Sequence, residues 1–291
     1  MVEKAYFGSV KAIPPPEGLA YPSETVLAGP VKLPALHPIP KFAIRPEVKI
    51  VPINVGPRTM YVFQEGYLPC GTKQRALPVL LARSEKELVY TGANSGAAQV
   101  LVAYAASLSG KTATIFTREE VREHAMLKRA RAYGAKIVSV KGGVLAELQA
   151  RATEYAKRRG AYLVPFGLND PRYKQELLES LRAAIPEAIR ETSKTIWLTY
   201  GSGVLLSVLL EVFPYARFEA VVVGRKPSGE EKQELGPDLQ RTGFHEVPFP
   251  FHVPTKDLPP YASIPEYDAK VWFYVVKFAR NGDFIWNTAS C

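Results

Sequence analysis

The segment Cys70–Leu77 places one lysine, Lys73, directly behind a Gly-Thr turn and ahead of a run of apolar residues with helical spacing. A helix N-terminus disfavours a cation and burial disfavours charge, so a lysine held in such a position loses its proton more easily. A neutral lysine amine can form a Schiff base with a carbonyl compound. Lys73 is therefore the candidate nucleophile of the chain.

A second segment, Tyr90–Val100, leaves an apolar run through small residues and enters a helix that we predict at 96–109. Small residues at a strand-to-helix turn let backbone N–H groups and short polar side chains approach a ligand closely. The turn carries Thr91, Asn94 and Ser95, and Gln99 follows one helical turn later. This turn is a candidate ligand-binding loop.

A third segment, Thr195–Leu210, runs from a buried strand through Gly201, Ser202 and Gly203 into an apolar helix. Glycines allow close backbone approach, and a helix N-terminus supplies N–H donors and positive potential, so the turn can cradle a phosphate. A tight packing turn would have the same sequence, and both interpretations stay open here. If the turn is a cradle, Gly203→Val should weaken phosphate binding with little loss of thermal stability.

These three segments together resemble the pyridoxal-phosphate enzymes of the tryptophan synthase β-subunit type, known as fold type II. That group includes threonine dehydratase, serine racemase, cysteine synthase and aminocyclopropane-carboxylate deaminase. The resemblance implies pyridoxal 5′-phosphate bound to Lys73 as a Schiff base, with its phosphate held by Gly201, Ser202 and Gly203. The chain departs from the family where Tyr200 and Ser202 stand in a loop that is usually richer in glycine.

The resemblance also implies roles for the polar residues of the second segment. Asn94 and Ser95 would contact the cofactor and hold the substrate carboxylate, and Thr91 and Gln99 would complete the substrate site. The implied substrate is a small amine or amino acid, which undergoes elimination, deamination or β-replacement.

The C-terminal part is predicted to contain two strands, 268–279 and 283–286, joined by a hairpin at Arg280–Asp283. In the family that the chain resembles, a hydroxyl or thiol near the C-terminus faces the pyridine nitrogen. Ser290 is the residue that we predict for this role, with Thr288 as the alternative. Residues 244–265 contain six prolines and are predicted to be irregular.

Helices and strands alternate from residue 76, which is typical of parallel sheets with crossover helices. Together with the resemblance, this predicts a two-domain α/β fold with a small domain inserted in a large one. The domains would be a proline-rich N-terminal arm at 1–48, a large cofactor domain at 49–84 and 171–291, and a small domain at 85–170. The predicted elements are helix 76–84, strand 87–91, helix 96–109, strand 112–117, helix 118–133, strand 136–140, helix 143–159, strand 162–164 and a helix 172–192 divided at Pro186.

Composition excludes several classes of protein. No apolar run approaches the roughly 18 residues of a membrane span, and the N-terminus lacks a signal-peptide pattern. The two cysteines match no metal-ligand spacing, and no metal site is predicted; His124 is predicted to be solvated. We therefore expect a cytoplasmic protein, and the abundance of proline and tyrosine is typical of thermophiles.

The net charge of +9 leaves nucleic acid possible as a partner, but acids interleave with bases along the predicted helices, so it is not favoured. A homodimer is expected. Two alternatives to the enzyme remain open. One is a binding protein that keeps the fold without the chemistry, and the other is a pyridoxal-phosphate transferase acting on a modified nucleotide or nucleic-acid base.

Overall fold

The computed structural model describes residues 46–120, 122–248 and 250–290. The predicted arm at 1–48 lies outside these residues except for its last three. The strands of the described part are β1 (Ile50–Val55), β2 (Arg58–Gln64), β3 (Glu87–Thr91), β4 (Thr112–Arg118), β5 (Lys136–Val140), β6 (Tyr162–Leu163), β7 (Thr195–Tyr200), β8 (Arg217–Val222), β9 (Thr242–Glu246) and β10 (Phe284–Asn287). Its helices are α1 (Leu77–Leu81), α2 (Ala97–Leu108), α3 (Ala125–Ala132), α4 (Leu145–Arg159), α5 (Pro171–Ala184), α6 (Glu187–Thr192), α7 (Val204–Val212), α8 (Gly229–Glu234) and α9 (Trp272–Phe278).

The strands form two sheets. The larger has six strands in the order β1-β2-β10-β7-β8-β9, and only the β1–β2 pair is antiparallel. The smaller has four parallel strands in the order β5-β4-β3-β6. The predicted α/β architecture of parallel sheets with flanking helices is confirmed, while the domain boundaries stay a prediction.

The largest hydrophobic cluster joins both sheets through the helices between them. It includes Leu101 on α2, Leu177 on α5 and Leu209 on α7, all of which are buried. Because one core serves both sheets, the loops at the strand ends are held against each other by packing. None of the helices in the described ranges is long and apolar enough to cross a bilayer.

Two predicted helices differ from the observed ones. The predicted helix 118–133 starts only at Ala125, because Arg118 still belongs to β4, where it pairs with Val140. The helix 172–192 is divided as predicted, and Ile185 has extended backbone angles before Pro186. Proline disfavours the helical conformation of the residue that precedes it, which explains the break.

The predicted strand 268–279 and its hairpin are wrong. This segment forms a short 3-10 turn, Asp268–Val271, followed by α9, and β10 instead pairs in parallel with β2 and β7. The residues are β-branched and aromatic, but Val271, Val275 and Ala279 are buried at a helical spacing of four. Packing of that face against the large sheet overrides the β propensity of the residues.

The predicted irregular segment 244–265 is also partly wrong. Its first three residues belong to β9, which pairs in parallel with β8 at the edge of the large sheet. The prolines begin only at Pro248, so they do not remove donors from this strand.

Candidate functional site

A cavity of about 970 Å³ opens where the carboxyl ends of both sheets meet. Ligands of open parallel sheets bind in the crevice at this end of the strands. Residues of all three sequence motifs line the cavity, among them Lys73, Asn94, Ser95, Gly201, Ser202 and Gly203. The structure therefore brings together side chains that are more than 100 residues apart in the sequence.

Lys73 lies in a 3-10 turn, Gly71–Ala76, that leads into α1. Its Nζ donates a hydrogen bond to the Gly167 backbone oxygen at 3.1 Å, across the cavity wall. Burial lowers the pKa of Lys73 to about 8, and the charge of Asp268 acts in the opposite direction. A substantial fraction of this amine is therefore neutral near pH 8, as a nucleophile requires.

A buried ion pair fixes the turn that carries Lys73. Arg75 binds Glu65 in a bidentate manner, with N–O distances of 2.6 and 2.7 Å, and both side chains are fully buried. Arg75 also donates to the Pro46 backbone oxygen and to Ser180 Oγ. Removing either partner would leave an uncompensated buried charge, so breaking this contact would cost much free energy. The pair therefore ties the turn that carries Lys73 to the end of β2.

Asp268 is a buried acid on the same cavity wall. Its Oδ2 accepts a hydrogen bond from the Ala289 backbone N–H at 3.1 Å, while Oδ1 has no hydrogen-bond partner among the described residues. Burial raises the pKa of Asp268 to about 7, and the neighbouring groups of Thr288, Ala289 and Thr199 partly offset the shift. The carboxyl can therefore exchange a proton near neutral pH.

The loop after β3 is held by its own polar side chains. Asn94 Nδ2 donates to the Arg118 backbone oxygen at 3.2 Å, and Thr117 Oγ1 donates to Asn94 Oδ1. Gln99 Nε2 donates to the Asn94 backbone oxygen at 2.6 Å. Ser95 lines the cavity and its Oγ makes no hydrogen bond to the described residues, so it is available to a ligand.

Two of the predicted substrate residues do not reach the cavity. Thr91 and Gln99 are buried behind the loop and do not line the cavity wall. Thr91 Oγ1 and Gln99 Oε1 have no partner among the described residues. In this structure Gln99 supports the loop from behind rather than facing a ligand.

The Gly201–Gly203 turn precedes α7 at the cavity wall. Gly203 has a φ of +79°, a conformation that glycine adopts readily. A Cβ on Gly203 would lie 3.0 Å from Tyr200 Oη, and one on Gly201 would collide with Tyr267 Oη. The expectation that Gly203→Val leaves stability intact is therefore wrong, because any side chain there is strained.

The C-terminal residues divide between the cavity and the protein interior. Thr288 lines the cavity, and its buried Oγ1 has no partner among the described residues. Ser290 does not line it, because its Oγ donates to the Gly66 backbone oxygen at 2.6 Å. The structure thus separates the two hydroxyls that the sequence suggested for one role.

Sequence reasoning missed Asp268, Tyr267 and Gly167. Asp268 is the first residue of the segment predicted to be a strand, and Tyr267 directly precedes it. Gly167 supplies the backbone oxygen that accepts the hydrogen bond of Lys73. No local pattern marks them. Their role comes from contacts with residues that are distant in sequence.

The prediction that His124 is solvated is wrong. Its Nδ1 accepts a hydrogen bond from Met126 N at the start of α3, and its Nε2 lies 3.2 Å from Glu266 Oε2. Because Nδ1 is an acceptor, Nε2 carries the proton and donates to Glu266. The pair links the loop after β4 to the segment before Asp268.

A family model described as pyridoxal-phosphate dependent enzyme matches residues 53–237, well over half of the chain. The match includes Lys73, the loop after β3 and the Gly201–Gly203 turn. The chain matches none of the curated proteins that were compared with it.

Several solved structures are similar to this one. An ACC deaminase homologue has a TM-score of 0.70 at 19% identity, covering 86% of this chain and 92% of that chain. O-ureido-L-serine synthase has a TM-score of 0.62 at 15% identity, with coverage of 85% and 90%. Maize serine racemase has a TM-score of 0.57 at 14% identity, with coverage of 84% and 89%. At these identities the likeness shows the fold.

Proposed function

The chain belongs to the pyridoxal-phosphate dependent enzymes of fold type II, and on that premise we propose that it acts on an amino acid or related amine, with Lys73 carrying the cofactor. The reaction class that we propose is elimination, deamination or β-replacement. The observation that carries the proposal is the Lys73 amine, which lies in the cavity with a pKa of about 8.

The cavity wall fits the phosphate of this cofactor. Gly201, Ser202 and Gly203 precede the nine-residue helix α7, whose N-terminal N–H groups and positive potential favour an anion. Ser202 packs closely on Gly167, where a Cβ would lie 2.6 Å from Ser202 Oγ. Gly167 therefore lets the Lys73 side and the phosphate side of the cavity come together.

We propose Asp268, in place of Ser290, as the group that faces the pyridine nitrogen. Its Oδ1 and the hydroxyls of Thr199 and Thr288 form a polar wall, in which both hydroxyls lie close enough to lower the pKa of Asp268 but no hydrogen bond of good geometry joins the three groups. Buried polar atoms normally have partners, so such a set supports a polar ligand group at this wall. A carboxyl with a pKa near 7 can hold or give up the proton of a ring nitrogen.

The remaining residues bind and orient the substrate. When bound, the cofactor supplies an electron sink for bond cleavage at Cα. Lys73 would hold the cofactor, and its free amine would take or return the proton at the substrate Cα, since a pKa of about 8 suits both directions near neutral pH. Ser95 Oγ and the backbone N–H groups of its loop hold the substrate carboxylate.

The proposal is tested by adding pyridoxal 5′-phosphate and recording the absorbance of the protein. We expect an absorbance band of covalently bound cofactor, and we expect Lys73→Ala to abolish it. Borohydride reduction followed by peptide mapping should place the label on Lys73.

Lys270 provides the internal control for this experiment. Burial also lowers its pKa to about 8, but its Nζ donates to the Pro250 and Phe251 backbone oxygens and it does not line the cavity. Label on Lys270, or a protein that stays colourless, would refute the assignment of Lys73.

A further inference from the structure

The cavity extends well beyond the residues that the proposed chemistry uses. In the small sheet the order is β5-β4-β3-β6, and the ligand loop follows β3. Residues that follow β4 and β5 line the same cavity. Neighbouring strands lie about 4.8 Å apart, so the end of β5 is about 10 Å from the end of β3.

We call this extension the outer chamber. It is lined after β5 by Gly143, Leu145 and Leu148, at the end of β4 by Arg118, and after β4 by Glu119, Glu120 and Arg122. Leu145 and Leu148 share one face of α4 because they are three residues apart. Leu148 is buried, whereas Leu145 is 41% exposed at the cavity wall. Leu145 therefore presents apolar surface to the cavity, and Leu148 lies behind it.

Charge does not define the outer chamber. Arg118 and Arg122 are exposed, and the adjacent Glu119 and Glu120 balance them. The aliphatic side chains after β5 are therefore the distinctive contacts that this part of the cavity offers. An apolar group that lies against Leu145 and Leu148 would gain free energy by leaving water.

The size of the cavity agrees with an additional substituent. Pockets for ligands of drug size range from about 300 to 1,000 Å³. At about 970 Å³ this cavity lies near the upper end of that range. The cavity therefore has room for a ligand larger than a small amino acid.

We propose that the cavity takes an amino acid or amine with an extended, mainly apolar substituent, whose reacting end lies at Lys73 and whose substituent lies in the outer chamber. The proposal rests on the proposed function, which places the amine and carboxylate at Lys73 and Ser95. The amine and carboxylate that all amino acids share are then bound at Lys73 and at the loop after β3. The substituent, which differs between amino acids, is bound beyond that loop in the outer chamber.

The probes are straight-chain 2-amino acids from 2-aminobutanoate to 2-aminodecanoate. Their affinities are measured by isothermal titration calorimetry with the protein before and after loading with pyridoxal 5′-phosphate. A fully buried methylene contributes about 0.8 kcal/mol, or about fourfold in affinity. Because Leu145 is partly exposed, we expect a gain of at least tenfold across the series.

Adjacent variants of α4 give a matched pair. Leu145→Asp places a charge in the outer chamber, whereas Val144→Asp places it one residue earlier, at a position that is 65% exposed and does not line the cavity. Val144 is the N-cap of α4, so aspartate at either position suits the helix N-terminus. We expect Leu145→Asp to remove the gain with chain length and Val144→Asp to keep it.

The outcomes separate the two proposals. If the protein loads with cofactor but binds long and short probes with equal affinity, the proposal that the outer chamber takes an apolar substituent is overturned. A protein that does not load but binds long probes more tightly, with loss in Leu145→Asp, would overturn the proposed function and leave the outer chamber supported. An equal loss in both variants would also overturn the outer chamber, because the effect would not follow the cavity wall.

Discussion

At the scale of single residues, Lys73 and Asp268 have opposite charges and line one cavity. Burial lowers the pKa of Lys73 to about 8 and raises the pKa of Asp268 to about 7. The Asp268 carboxylate favours the Lys73 cation and so limits the first shift. Both groups therefore change protonation within about one pH unit of each other, which suits a site that moves protons in both directions.

The pH dependence of Lys73 reactivity tests this coupling. In the cofactor-free protein we expect acetic anhydride to label Lys73 with a midpoint near pH 8, against about 10.4 for an ordinary lysine. The neutral amine is the reactive form, so the labelling rate rises with pH and then levels off. Mass spectrometry of the Lys73 peptide gives the rate, with the exposed Lys128 as internal reference.

The same experiment on Asp268→Asn gives the sign of the coupling. Removing the carboxylate removes a charge that favours the Lys73 cation, so the midpoint should move to lower pH. A midpoint that stays in place or rises would show that Asp268 does not act on Lys73.

At the scale of elements, the C-terminal segment pins the turn that carries Lys73. Thr72 N donates to the Thr288 backbone oxygen at 2.7 Å, and Trp286 Nε1 donates to Thr72 Oγ1 at 2.9 Å. A Cβ on Gly71 would collide with the Thr288 oxygen and would lie 2.7 Å from the Ala289 Cβ. Because Ala289 also donates to Asp268, one segment positions both ionisable groups.

Gly71→Ala and Gly56→Ala form a pair that isolates this contact. Both glycines have a φ near +60°, but a Cβ on Gly56 meets nothing within 4 Å. The two variants share the backbone strain, and only Gly71→Ala adds overpacking, which typically costs about 1–3 kcal/mol. We expect urea unfolding to show the larger loss for Gly71→Ala and absorbance to show its loss of cofactor uptake. Equal effects in both variants would mean that close packing at Gly71 is unimportant.

The start of α7 is the second element that the proposed function depends on. Ser202→Asp puts a carboxylate where the cofactor phosphate is proposed to bind, while an acid near a helix N-terminus supports the helix itself. We expect at least a tenfold loss of affinity for pyridoxal 5′-phosphate, about 1.4 kcal/mol, with no loss for pyridoxal, which lacks the phosphate.

Ser207→Asp is the control for this change, because it adds the same charge within α7 at a residue that does not line the cavity. It should leave both affinities close to those of the unaltered protein. If Ser202→Asp weakens the two compounds equally, the turn does not contact a phosphate.

At the scale of the whole molecule, the cavity depends on contacts between the two sheets. Arg129 on α3 donates to the Pro69 and Ser290 backbone oxygens, and His124 contacts Glu266. These contacts attach the loop after β4 to the segments that carry Lys73 and Asp268. Asp268 lies on one of the segments that these contacts join. A change in its protonation can therefore change the free energy of unfolding of the entire fold.

Asp268 should make the stability of the cofactor-free protein depend on pH. Its folded pKa of about 7 lies above the unfolded value of 3.8, so the folded state binds the extra proton between these values. This contribution is fully present below about pH 4 and is lost as the pH rises through 7. Urea unfolding should show a decline in stability over that window that is smaller in Asp268→Asn. An identical decline in the variant would mean that other groups cause it.

The sequence by itself determined the features that depend on neighbouring residues. The alternation of strands and helices, the break at Pro186 and the three turns rest on periodicity, proline and glycine, which act over a few residues. Lys73 and the Gly201–Gly203 turn could be recognised for the same reason. The two turns lie near strand ends, and the strand ends of the two sheets meet at the cavity. Lys73 and the Gly201–Gly203 turn therefore both line the cavity, as the motifs predicted.

Only the tertiary structure decided which polar groups face the cavity. Asp268 reaches it because Val271 and Val275 pack against the large sheet as a helix, although their β propensity predicts a strand. Ser290 is drawn away by Gly66, a residue 224 positions earlier in the chain. Such contacts leave no local pattern, because burial and hydrogen bonding between distant residues arise only when the chain has folded.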